Sequence, residues 1–117
     1  MLSNIYAITV TVKYGYAGMD KYGWAATLRW QDNKFAEKGC VEGDIRTRYF
    51  EETLAEAIDY VVEVAKQFNI PFSEKMGLFY ENDGENIYDP PPPDWKLSLL
   101  QEARKRGWQT YKYGIDK

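Results

Sequence analysis

Apolar and polar residues alternate with a period of two from the start of the chain. Tyr6, Ile8, Val10, Val12 and Tyr14 fall on one face of an extended segment, and Ala7, Thr9, Thr11 and Lys13 on the other, which predicts a half-buried β-strand. Gly15, Gly18 and Asp20 interrupt the pattern, and Tyr22, Trp24, Ala26, Leu28 and Trp30 then resume it as a second strand. Gln31-Asp32-Asn33-Lys34 contains the Asp and Asn that tolerate turn conformations, so Phe35 to Val41 is expected to return antiparallel as a third strand. The opening third reads as a meander.

The period changes after Gly43. Thr53-Leu54-Ala55-Glu56 is a capping box, in which the Thr hydroxyl and the Glu carboxylate each satisfy a free amide at a helix start. Leu54, Ala57, Ile58, Val61, Ala65 and Phe68 follow at helical spacing, and the stripe ends at Asn69 before Pro71. Met76 to Tyr80 is a short apolar run suited to a buried strand. A long helix between two strands implies a crossover to a parallel neighbour, which places this strand beside the first.

Glu81 to Asp94 is irregular, with an Asn82-Asp83-Gly84 turn signal and four consecutive prolines, Pro90 to Pro93, that favour a stiff extended connection. Asp94 is placed to cap a second helix, in which Trp95, Leu97, Leu99, Leu100 and Ala103 supply apolar surface. Arg104-Lys105-Arg106 complements the helix dipole, and Gly107 stops the helix. Trp108 to Tyr113 alternates again as a closing strand. No internal repeat or second domain is evident, so residues 1–117 are expected to form one domain.

Composition narrows the chemistry. The chain has 117 residues, enough to bury about two-thirds of its unfolded surface without metal or disulfide staples. Ten Tyr, four Trp and five Phe favour a sheet-containing core. There is no histidine, which removes every His-dependent triad, dyad and metal site, and the lone Cys40 cannot form an internal disulfide. No glycine loop matches a phosphate-binding motif, and no serine sits in a nucleophile elbow. No apolar run approaches the roughly 20 residues that span a bilayer, and no leading segment resembles a signal peptide, so a cytoplasmic location without membrane contact is expected. The net charge is −3, yet from Trp95 onward Lys96, Arg104, Lys105, Arg106, Lys112 and Lys117 oppose only Glu102 and Asp116, while Glu81, Asp83, Glu85, Asp89 and Asp94 share a stretch without a base.

The element order strand, strand, strand, helix, strand, helix, strand resembles that of the ribonuclease H-like superfamily, an α/β (α+β) fold with a mixed five-stranded sheet flanked by two helices. Lys21-Tyr22-Gly23-Trp24-Ala25-Ala26-Thr27-Leu28 is similar to that superfamily's Gly-Trp-Gly-Ala-Val-Leu type of second strand. The resemblance implies a nuclease site in which acids from the first strand, the first helix and the end of the fourth strand hold Mg2+ or Mn2+. Glu52 (or Glu51), Glu81 and Asp83 are the candidate ligands and catalytic acids. From Ile5 to Tyr16, however, there is no acidic residue, and Val12-Lys13-Tyr14-Gly15 stands where the superfamily carries an Asp. The expectation is therefore a non-catalytic domain, with no cofactor, that binds a macromolecular partner. The metal-dependent nuclease is the alternative.

A shorter resemblance covers Tyr22 to Phe68. Gly39-Cys40-Val41-Glu42-Gly43-Asp44 and Thr53-Leu54-Ala55-Glu56-Ala57 are similar to segments of HicB-type antitoxins, which implies a protein-interaction or oligomerising module. The partner is thus protein or nucleic acid, with a homodimer through an edge strand as a third arrangement. Lys13, Tyr14, Arg46 and Lys112 are the candidate binding residues. Tyr14, Tyr16, Tyr111 and Tyr113 are suited to stacking on bases or anchoring a protein. If such aromatics lie beside Lys13, Lys112 and Arg46, nucleic acid is favoured despite the acidic average.

Overall fold

The computed structural model describes residues 5–18, 21–32, 42–80 and 92–110. Within them lie strands β1 (Ile5–Gly18), β2 (Lys21–Asp32) and β3 (Glu42–Arg46), helix α1 (Leu54–Gln67), strand β4 (Phe72–Tyr80) and helix α2 (Trp95–Arg106). The strands form one mixed sheet in the order β3-β2-β1-β4. β1 pairs antiparallel with β2 and parallel with β4, as the crossover argument requires, and β2 pairs antiparallel with β3. Gln109 adds a parallel bridge to Gly77 of β4, so a fifth strand position lies at that edge. The result is an α+β open sheet with two helices.

One face of the sheet makes the core. Val10 and Val12 of β1, Trp24, Ala26 and Leu28 of β2, and Met76, Leu78 and Tyr80 of β4 are buried with Leu54, Ala57, Ile58, Val61 and Ala65 of α1 and with Leu99 and Ala103 of α2. Both helices therefore contribute to the same apolar layer. At roughly 1.5–3 kcal/mol for each fully buried large aliphatic side chain, this layer is the main stabilising contribution.

Local signals account for most of the element ends. The capping box is formed: the Glu56 amide donates to Thr53 Oγ1 at 3.1 Å, and the Thr53 amide donates to Glu56 Oε1 at 3.1 Å. α1 closes at Phe68, and Asn69 takes a left-handed φ of 57°, which Asn tolerates better than most residues. α2 ends on Gly107 at φ 74°.

Four expectations are corrected. Ile8 is an unpaired bulge residue, since Ala7 pairs with Trp30 and Thr9 with Arg29. The added residue reverses the alternation, so Ala7, and not Ile8, is fully buried. Gly15 does not end β1, which runs on to Gly18 with Gly15 opposite Gly23. Phe68 lies beyond the buried stripe and is 59% exposed, because the chain leaves the helical register at that residue. Asp94 precedes α2 but its side chain makes no capping hydrogen bond. The expected strand from Phe35 to Val41 lies outside the described residues, and β3 is the segment that follows it.

Candidate functional site

The face of the sheet opposite the helices presents the other half of each alternation. Thr11 and Lys13 of β1 point there, as do Ala25, Thr27 and Arg29 of β2, and the register places Lys13 opposite Ala25 and Thr11 opposite Thr27. β3 continues the surface, with Arg46 opposite Thr27 and Asp44 opposite Arg29. β1 and β2 are acid-free from Ile5 to Gly18 and from Lys21 to Gln31. Their exposed charges on this face are consequently all positive.

A bulge walls this surface. β2 and the chain after β3 pair at Thr27 with Arg46 and again at Trp24 with Glu51, so Ala25 and Ala26 oppose the four residues 47–50. The bulge is tied down at both ends. Thr47 N donates to the Ala26 carbonyl at 3.0 Å, and the Ala26 amide donates to Thr47 Oγ1 at 3.2 Å. Trp24 and Glu51 exchange two backbone hydrogen bonds of 2.7 Å.

The glycine pair beneath explains why the segment can approach so closely. A Cβ on Gly23 would lie 2.5 Å from the Glu51 carbonyl oxygen, and one on Gly15 would lie 3.3 Å from the Phe50 ring. Glycine at these two facing positions makes room for the bulge to cross the strands.

Between the bulge and the sheet lies a cleft of about 290 Å³, lined by Lys13, Arg29, Arg46 and Arg48 with threonines, Tyr49 and Phe50, and by no acidic residue among those described. Arg46 is paired with Asp44 at 3.1 Å, just outside the lining, while Lys13, Arg29 and Arg48 have no ion pair among the described residues. Cations spread singly over a surface need no ligand. Here they converge, and their mutual repulsion is relieved by any anion that enters. The threonine hydroxyls add neutral hydrogen-bonding groups of the kind that contact phosphate and sugar oxygens.

The candidate residues from the sequence separate into distinct places. Lys13 and Arg46 line the same cleft. Tyr14 lies on the opposite, helix-covered face, half-buried, with its ring 6.0 Å from Tyr22 in a parallel stack and 5.2 Å from Trp24 edge-on. Glu52 is exposed at the bend before Thr53. Lys112, Glu81 and Asp83, like Tyr16's side chain, Tyr111 and Tyr113, lie outside what is described. Arg29, Arg48 and Tyr49 were not singled out from the sequence. Period-two alternation puts Arg29 outward, but only the strand register shows that it shares a surface with Lys13 and Arg46.

Of the candidate divalent-metal ligands only Glu52 (or Glu51) lies among the described residues, since Glu81 and Asp83 fall outside them. No group of three acidic, Cys or His residues able to hold an ion occurs among them, and the β1 position expected to carry an acid is the exposed cation Lys13. Among the described residues no helix is long and apolar enough to cross a membrane. No protein-family model, curated protein or solved structure matches this chain.

Proposed function

We propose that this chain is a non-catalytic, ribonuclease H-like domain that binds nucleic acid on the face of its sheet opposite α1 and α2. The observation that carries the reading is the cleft lined by Lys13, Arg29, Arg46 and Arg48 without an acid among the described residues. The order β3-β2-β1-β4, with Gln109 bridging β4 on its far side, supports the resemblance drawn from the element order. Lys13 on the central strand supports a binding role over hydrolysis, since a cation there repels the metal ions that such hydrolysis uses.

Polyanion binding through four cations has a measurable signature. Release of condensed counterions gives a plot of log K against log salt with a slope of roughly −0.7 per neutralised phosphate for a single strand, hence about −2.8 for four contacts. Fluorescence anisotropy with labelled oligonucleotides at several salt concentrations measures it, and Arg29→Ala or Arg48→Ala is expected to reduce the slope by about 0.7. Failure of all oligonucleotides to bind at low salt overturns the reading and favours an acidic protein surface as the partner. Cleavage of an RNA–DNA hybrid or a single strand with added Mg2+ or Mn2+ overturns the non-catalytic part, and loss of that cleavage in Glu52→Gln would restore the nuclease alternative.

A further inference from the structure

Tyr49 is the most exposed large aromatic residue among those described, at 74%, and it sits on the bulge at the lip of the basic cleft. Its ring contacts no other ring among the described residues. By contrast, the aromatic residues of the core face are engaged with one another: Tyr14 with Tyr22 and Trp24, Trp24 with Tyr80, and Tyr80 with Trp95 at 4.3 Å. An isolated exposed tyrosine is ordinary. Tyr49 differs because it is flanked in the chain by Arg48, lies three residues from Arg46, and belongs to a segment that the Gly15 and Gly23 pair holds against the sheet.

Resting on the nucleic-acid reading above, we infer that the ligand is a single strand, held with one base stacked on Tyr49 and its adjoining phosphates in the cleft. A phenol ring offers a flat face that every base can stack on, and stacking needs a base that is neither paired nor stacked within a duplex. The cations lie close together within one cleft of about 290 Å³, which suits the phosphates next to one unstacked base. A duplex presents its phosphates in two separated rows and keeps its bases inside. The acid-free cleft supplies charge for the backbone, and Tyr49 supplies contact for the base. Stacking uses the face that every base has, so this contact is expected to tolerate sequence.

Bulges re-aim side chains where a regular ladder would alternate them. With two residues of β2 facing four, the chain turns outward at Arg48 and Tyr49 and returns to pair at Glu51. Both residues are exposed, while Phe50 is half-buried over Gly15. Phe50 is thus an anchor for the bulge, and Tyr49 is the part left free to meet a ligand.

The test is competition, followed by substitution. A labelled oligothymidine of about 12 nucleotides binds the whole chain at low salt, and unlabelled single strands displace it at least roughly tenfold more effectively than a duplex or RNA–DNA hybrid of equal length. Tyr49→Ala weakens single-strand binding by roughly 5- to 100-fold, the equivalent of losing one stacked base, while Tyr49→Phe, which keeps the ring, stays within about threefold of the parent. Circular dichroism of both variants verifies the fold. Equal competition by duplex or hybrid, or indifference of single-strand binding to Tyr49→Ala, overturns this inference while leaving the basic face as a nucleic-acid site. Absence of binding by every oligonucleotide overturns the proposed function itself.

Discussion

The two faces of β1 and β2 are built from the same alternating segments and do opposite things. On one, Val10, Val12, Trp24, Ala26 and Leu28 are buried beneath α1 and α2, with Val10 and Leu28 wholly without exposure. On the other, Thr11, Lys13, Ala25, Thr27 and Arg29 remain half-exposed or exposed beside a bulge. The core face is constrained by volume, because any methylene removed there leaves a cavity. Over β1 and β2 the open face is less constrained, although Phe79 of β4, opposite Thr11, is buried on it. Converging cations even oppose folding slightly, so their placement adds nothing to the stability that the core face supplies.

Substitutions at adjacent β2 positions break this comparison most directly. Leu28→Ala is expected to cost about 2–5 kcal/mol, read as a lower urea midpoint, whereas Thr27→Ala, one residue away on the open face, stays within about 0.5 kcal/mol. Equal losses at both would mean that the open face is packed as well. An intermediate effect is expected at Gly23→Ala, whose new Cβ meets the Glu51 backbone and not a yielding side chain. The overpacking costs about 1–3 kcal/mol. The displaced bulge should also weaken oligonucleotide binding, which links the two faces through one methyl group. The smallest stability effects belong to the cleft. Arg29→Ala and Arg48→Ala each change the unfolding free energy by less than about 0.5 kcal/mol. A loss of more than that in either would assign the arginine to folding.

Much of the architecture is legible in local sequence. β2, α1 with its capping box, the Gly107 stop and the parallel pairing of β4 with β1 all follow from alternation, helical spacing and crossover handedness. What is not legible depends on a single residue. The bulge at Ile8 turns Ala7 toward the core, and nothing in the alternation of β1 announces it. Gly15 reads as a breaker by composition but stays in the ladder because Gly23 faces it and Phe50 lies above it.

The candidate site divides in the same way. Lys13 attracts notice as the lone charge of β1, and Arg46 as a base in the charged segment Asp44-Ile45-Arg46-Thr47-Arg48. Arg29, Arg48 and Tyr49 do not, since an exposed arginine or tyrosine is unremarkable one segment at a time. Tyr14 has the composition of a stacking residue, and its parity along β1 places it with the core.

The amino-acid sequence by itself determined which side chains face in and which face out along β2 and along β1 beyond its bulge, where α1 begins and α2 ends, and that β1 carries a cation and no acid. These are properties of a segment and its nearest neighbours, for which a period and a cap suffice. Only the tertiary structure decided that outward residues from three distant segments meet around one cleft. That outcome rests on antiparallel register, which sets Thr27 against both Thr11 and Arg46, and on a two-residue excess in the bulge. Register is selected by burying the opposite face correctly. The charges on the open face are therefore assembled by the packing of residues that never touch them.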